Sequence, residues 1–270
     1  MPELPEVETT KRGITPFLQN QSVKKLSIHQ WQLRWPIPKS VKQIEGQTIT
    51  GVERRGKYLL LKTAPGQAIV HLGMSGSLRV CTNNEQRRKH DHVEILMATG
   101  ALLRFHDPRR FGCLLWQAKG EPTHELLSRL GPEPLLAAFN QQHLITATRK
   151  RKSPIKNLIM NSNIVVGVGN IYASEALFMS GIRPTRQAGK LTHAECGTLV
   201  EKIKAVLQQS INQGGTTLRD FVNSDGEPGY FKQSLFVYGK QGEPCKTCNK
   251  PIKQIVLGQR STFYCPVCQK

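Results

Sequence analysis

The sequence predicts an α+β chain of more than one domain: an N-terminal sandwich of antiparallel β-sheets flanked by helices, then a helical domain that ends in a stapled hairpin. Three observations carry that expectation. Short apolar runs separated by turn residues recur over residues 23–117, apolar residues take helical spacing from Ser153 onward, and two Cys-x2-Cys pairs lie at residues 245–268. A chain of 270 residues is long enough for two cores. The expected domains are residues 1–130 for the sandwich, 131–152 for a linker and the start of the C-terminal domain, 153–234 for the helices and 235–270 for the hairpin.

The first stretch reads Met1-Pro2-Glu3-Leu4-Pro5-Glu6-Val7-Glu8-Thr9-Thr10-Lys11-Arg12. Pro5 suits the first turn of a helix and Glu6 and Glu8 the positive end of its dipole, while Gly13 and Pro16 weaken the helix further on. A chemical reading stands beside this one. Once Met1 is removed, Pro2 carries a free secondary amine, which titrates near pH ~8, so roughly a tenth of it is neutral at pH 7. Such an amine condenses with an aldehyde-level carbon to an iminium that withdraws electrons from neighbouring bonds. Glu3, one residue away, is placed for proton transfer. On these residues alone the helix start is the simpler reading.

The β-region follows. Tyr58–Leu61, Ala68–Leu72, His92–Leu96, Ala101–Phe105 and Cys113–Trp116 are apolar runs of strand length, and Pro65-Gly66 and Thr99-Gly100 are hairpin signals between them. Residues 120–153 change character, with Gly120, Pro122, Gly131-Pro132 and Pro134, and the boundary is placed near Gly131. Arg149-Lys150-Arg151-Lys152 reads either as a solvated charge run or, just before a helix, as a phosphate contact. Ser153-Pro154 supplies a cap and a first-turn proline, with Ile155, Leu158 and Ile159 on one face. Gly167-Val168-Gly169-Asn170 leads into a helix that Gly181 ends; such turns either cap a helix or hold a phosphate on its amides. Thr192-His193-Ala194-Glu195 is a capping box, and Leu199, Ile203, Val206, Leu207 and Ile211 continue that helix to Gly214-Gly215.

Charge narrows the partner. Lys and Arg number 38 against 19 Asp and Glu, a formal net charge of +19, which points to a polyanion, nucleic acid before a membrane surface. No apolar run approaches the ~18 residues of a membrane span. The acidic, proline-bearing start is unlike a signal peptide, so a reducing cytoplasm is the expected compartment.

The cysteines are the most specific signal. Cys245 and Cys248 are separated from Cys265 and Cys268 by the sixteen residues 249–264, the spacing of a zinc ribbon. Four thiolates fill the tetrahedron of one Zn²⁺ and leave no place for water, so the metal is expected to be structural. Arg260 is expected at the tip of the hairpin between the knuckles, either as a surface cation or as a functional one. Two loops, Gly73-Met74-Ser75-Gly76 and His106-Asp107-Pro108-Arg109-Arg110-Phe111-Gly112, have the composition of wedges that unstack a base step, unless Met74 and Phe111 are core. His90-Asp91-His92 lacks a third metal ligand at recognisable spacing and reads as structural or as a phosphate contact.

Taken together, the N-terminal stretch, Gly56-Lys57-Tyr58, His71–Gly76, Asp107–Gly112, Val168-Gly169-Asn170-Ile171-Tyr172 and the cysteine pairs resemble the formamidopyrimidine-DNA glycosylase family of bacteria, from end to end and in consistent order. The resemblance implies a helix-two-turn-helix for the helical domain. It also implies a bifunctional glycosylase and abasic-site lyase that removes oxidised purines, 8-oxoguanine and formamidopyrimidines, from double-stranded DNA as a monomer. Pro2 would attack C1′ and form the Schiff base, Glu3 would transfer protons, Lys57 would assist base loss and β-elimination, and Arg260 δ-elimination. Met74, Arg109 and Phe111 would fill the space of the extruded base. His90, Arg109, Arg151, Lys156, Asn170 and Tyr172 would hold phosphates. Residues 216–226 resemble the loop that closes over the damaged base. The competing expectation is a non-catalytic DNA-binding protein, which accounts for the charge and the ribbon but not for Pro2-Glu3.

Overall fold

The computed structural model describes residues 2–81, 85–215 and 235–270; the stretch expected to close over a base lies outside them. The described residues form two compact units, one of residues up to Ser128 with 213–215, the other of Arg129–Asn212 with 235–270. The segment expected as a linker and the start of the C-terminal domain belongs to the second unit. Within it the helix α3 (Gln141–Thr148) buries Leu144 and packs on α6 (His193–Asn212).

The first unit opens with α1 (Leu4–Leu18), which continues through Pro16 at its last turn. Eight strands follow: β1 (Val23–Ile28), β2 (Gly51–Arg55), β3 (Tyr58–Thr63), β4 (Gly66–His71), β5 (Ser77–Cys81), β6 (Asp91–Met97), β7 (Leu102–His106) and β8 (Cys113–Ala118). They make two antiparallel sheets, ordered β1-β6-β7-β5 and β2-β3-β4-β8. Leu26, Ile95, Leu103 and Phe105 from one sheet and Leu59, Leu61, Val70 and Leu114 from the other belong to a single buried cluster, as sandwich packing requires. Alternation along β7 sets Leu103 and Phe105 on that side and Arg104 on the other. There Arg104 is still buried, because its guanidinium bonds the Glu94 carboxylate at 2.8 Å and the carbonyls of Glu85 and Gln86. Residues 85–90 thus lie as a strap against the outer face of the sheet.

The second unit adds α4 (Ile155–Ile159), α5 (Asn170–Met179) and the hairpin of β9 (Lys253–Leu257) and β10 (Arg260–Tyr264). Every residue of α5 from Ile171 to Phe178 is buried, so this helix is central rather than amphipathic. It packs on α4, α6 and β10. The capping box expected before α6 is formed, with Thr192 N–H to the Glu195 carboxylate at 2.7 Å and Glu195 N–H to the Thr192 hydroxyl at 3.2 Å. Pro154 is the N-cap of α4 and not its first residue, and α4 closes after five residues. No helix among the described residues is long and apolar enough to cross a membrane.

Candidate active site and nucleic-acid interface

Pro2 is buried and directly precedes Glu3, the N-cap of α1. The backbone N–H of Glu3 donates to the Glu6 carboxylate at 2.8 Å, and both acidic side chains are 2% exposed. A reactive group attached here is held at the start of a rigid helix instead of on a loose end. Farther along α1, Glu8 accepts from Arg54 at 2.8 Å and from Arg12 at 3.2 Å. Burial alone would raise the Glu8 carboxyl, but the Arg54 hydrogen bond and the Lys11 and Arg54 charges outweigh it and hold it below the usual carboxylate range. Arg54 also donates to the Gly56 carbonyl at 2.9 Å. It thereby links α1 to the two-residue turn that carries Lys57.

That turn, Gly56-Lys57, joins Arg55 to its partner Tyr58. Gly56 has φ +57°, as a type II′ hairpin demands of its first residue. On the neighbouring strand His71 touches the Tyr58 ring at 4.9 Å, and its Nδ1 accepts the Gly73 N–H at 2.9 Å. Burial first, then the charges of Lys57 and Arg34, push the imidazole down to about 4, so it is neutral at physiological pH. Sequence reasoning assigned no role to His71, although it begins one of the quoted motifs.

The two suspected wedge loops are one assembly. The carboxylate of Asp107, wholly buried, accepts the Ser75 hydroxyl at 3.1 Å and the Gly112 N–H at 2.8 Å. Gly73, at φ +69°, lies so close to the other loop that a Cβ there would meet Gly112 N and Phe111 C at 2.5 Å. From this locked base Met74 and Phe111 project 38% and 42% exposed, and the Arg109 guanidinium stands 4.8 Å over the Phe111 ring. The core alternative for Met74 and Phe111 is thereby excluded. His90, partly buried, donates nothing to a metal cluster; its carbonyl accepts the Asp107 N–H at 3.0 Å and its ring edges that of His106. Among the described residues the one cluster able to hold a metal is the cysteine quartet.

In the second unit, Cys245, Cys248, Cys265 and Cys268 bring their sulfurs within 4.8 Å of one another. The Cys245–Cys268 and Cys248–Cys265 separations of 3.9 and 3.4 Å lie near the ~3.8 Å edge of a tetrahedron with Zn–S bonds of ~2.3 Å. Thr247 N–H and Cys268 N–H point at two of the sulfurs, at 3.5 and 3.4 Å. The quartet fits one zinc ion. The other three cysteines are a different case: burial pushes the thiols of Cys81 and Cys196 up, and that of Cys113 to about 12, so none offers a thiolate nucleophile at neutral pH.

Arg260 is exposed, but it is not at the hairpin tip. Gly258 and Gln259, at φ +55° and +60°, make the turn, and Arg260 is the first residue of β10, paired with Leu257. Two expected phosphate contacts are also placed elsewhere. Lys156 is 1% exposed, with Nζ donating to Asn170 Oδ1 at 2.6 Å and Thr262 Oγ1 at 2.7 Å, because β10 closes over it. Tyr172 is fully buried in α5 and its hydroxyl pairs with Ser210 at 2.6 Å, so it faces the helical core. Asn170 keeps partial exposure at the N-terminus of α5, where Gly169 is the N-cap, and Arg151 is fully at the surface. A residue that sequence reasoning passed over is Glu175: its buried carboxylate accepts the N–H groups of Phe236, Val237 and Tyr238 at 2.7–3.0 Å.

Comparison with known proteins follows the same three parts. Residues 1–114 match the formamidopyrimidine-DNA glycosylase N-terminal domain, 130–222 the formamidopyrimidine-DNA glycosylase H2TH domain, and 242–270 the zinc finger found in FPG and IleRS. The chain is similar to the formamidopyrimidine-DNA glycosylase of Thioalkalivibrio sulfidiphilus, with 55% identity over 271 residues that take in the whole of both chains. Among solved structures it is similar to the MutM (Fpg) protein of Thermus thermophilus, with 37% identity, a TM-score of 0.90 and 99% and 98% of the two chains covered. It is similar also to a Lactococcus lactis Fpg variant solved in complex with a Fapy-dG containing DNA, with 32% identity, a TM-score of 0.92 and both chains covered in full.

Proposed function

The chain belongs to the formamidopyrimidine-DNA glycosylase family, and from that premise we propose that it excises oxidised purines, 8-oxoguanine and formamidopyrimidines, and then cuts the strand by β,δ-elimination. It is a DNA glycosylase of base excision repair that acts on double-stranded DNA carrying oxidised bases or abasic sites, with one zinc ion in its finger. The observation that best supports base extrusion is the exposed trio of Met74, Arg109 and Phe111 on two loops fastened to each other by Asp107. Large apolar side chains held rigidly in solvent suit insertion into a base stack.

In the proposed reaction Pro2 N, freed of Met1, attacks C1′ of the extruded nucleotide. The glycosylic bond breaks and the base leaves with a proton; the C1′–O4′ bond then opens, O4′ takes a proton, and the amine holds the ring-opened sugar as an iminium. Loss of a C2′ proton then expels the 3′ phosphate, and a second elimination expels the 5′ phosphate, leaving a one-nucleoside gap. Glu3 moves protons at this centre, Lys57 assists base loss and the first elimination, and Arg260 the second. His90, Arg109, Arg151 and Asn170 contact phosphates. Lys156 and Tyr172 act from inside the helical unit, Lys156 by fixing Asn170 and β10, Tyr172 by seating α5. The compartment we assign is the cytoplasm, at the nucleoid.

Borohydride should trap a covalent adduct between the protein and DNA carrying 8-oxoguanine or an abasic site. Trapping should fall away in protein that retains Met1 and weaken in Pro2→Gly. Adduct formation equal in all three would remove Pro2 as the nucleophile, and absence of lesion-dependent strand cleavage would leave a DNA-binding protein without catalysis.

A further inference from the structure

We propose that the outer face of the β1-β6-β7-β5 sheet carries a docking pocket for an acidic peptide segment of a partner protein, a surface separate from the repair chemistry and independent of it. The pocket has a volume of about 340 Å³, within the ~300–1,000 Å³ typical of sites that enclose a ligand. Strand register builds it. Lys25, Leu96 and Leu102 form one cross-strand row, and Glu94 and Arg104 stand in the next row on the same face. Leu96 is half-buried and Leu102 buried, so the row has an apolar floor with the Lys25 ammonium at its exposed end. Arg87, from the strap of residues 85–90, supplies a second exposed cation.

The charges in this pocket are unevenly matched. Glu94 is already engaged by Arg104 at 2.8 Å and by the His29 ring at 2.8 Å. Among the described residues Lys25 makes no ion pair, and the Arg87 guanidinium bonds only the Asp91 carbonyl, at 3.3 Å. Two cations over an apolar floor call for a ligand with carboxylates beside an apolar side chain, which an acidic peptide provides. Duplex DNA fits less well. A phosphodiester has no apolar group to cover Leu96 and Leu102.

The test uses the full chain with zinc bound and a fluorescent synthetic peptide rich in Asp that ends in Leu, at about 0.15 M ionic strength, where exposed charges act over only ~8 Å. Saturable binding is expected, weakened roughly ten-fold or more by Lys25→Glu or Arg87→Glu. Leu96→Gln, which keeps every charge, should weaken it several-fold, as should replacing the peptide's Leu by Gly. Cleavage of lesion-bearing duplex should be unchanged in all three variants. Equal affinity in wild type and Leu96→Gln would reduce the effect to the bulk charge of the protein and overturn the proposal. Loss of duplex affinity in Lys25→Glu and Arg87→Glu without peptide binding would assign the face to DNA instead, and no binding of either would leave the pocket without this function.

Discussion

His71 is neutral because burial disfavours a charged ring and because Lys57 and Arg34 repel a further charge, and its unprotonated Nδ1 accepts the Gly73 amide. Its folded pKa, about 4, lies below the ordinary value of 6.5, so the unfolded chain takes up a proton that the folded chain refuses. Stability should therefore decline as pH falls from about 6.5 towards 4. Thermal unfolding followed across that window should show a shallower decline in His71→Asn; identical profiles would mean that the imidazole is not held neutral. Asp107 is the second decisive residue. Asp107→Ala strands the Gly112 amide and should cost about 3 kcal/mol in denaturant unfolding, while Asp107→Asn should cost about 1, because the Ser75 hydroxyl can turn and accept from the new amide. Equal losses would contradict this pairing. Neither role was legible in the sequence, where Asp107 read only as a member of a loop with the composition of a wedge. Lys156 is expected at a phosphate by family resemblance alone, and only the closure of β10 over it, set by contacts 106 residues away, takes it inside.

The elements with regular apolar patterns were legible. The five apolar runs became β3, β4, β6, β7 and β8, and the capping box opened α6 as expected. β1, β2 and β5 were covered only by the general β-rhythm, because Lys24, Lys25, Glu53, Arg54 and Arg79 break their apolar character; of these, Glu53, Arg54 and Arg79 meet Lys62, Glu8 and Asp91, partners that no local window contains. The hairpin tip was misjudged by one residue, since two successive positive φ angles at Gly258 and Gln259 were not anticipated. At this scale Glu175 is the joint that matters. It anchors residues 236–238 to α5 through three amide donors, although burial pushes its carboxyl above the ordinary range. Glu175→Gln offers one acceptor oxygen where two were used, and should cost about 1–3 kcal/mol. Differential scanning calorimetry would register that as a lowered Tm, and an unchanged Tm would mean that the three amides find other acceptors.

A net charge of +19 was sufficient to name a polyanionic partner, but not to say which cations meet it. Placement in the fold makes that distinction. Arg109→Ala and Arg151→Ala, both at exposed positions, should each lower the salt dependence of duplex binding by roughly 0.9 in slope. Lys156→Met should leave the slope unchanged while weakening the hold of β10 on Asn170. Titrations at several salt concentrations decide it, and a slope change for Lys156 alone would invert the assignment. The zinc site was legible because its spacing is fixed by a single ion, whereas the two loops expected as wedges were legible only as composition, since their rigidity depends on a carboxylate shared between them. That sharing has a mechanical meaning. Met74, Arg109 and Phe111 ride on two loops that Asp107 ties together, so under the proposed function a base step pressed against them would meet the whole set at once or none of it.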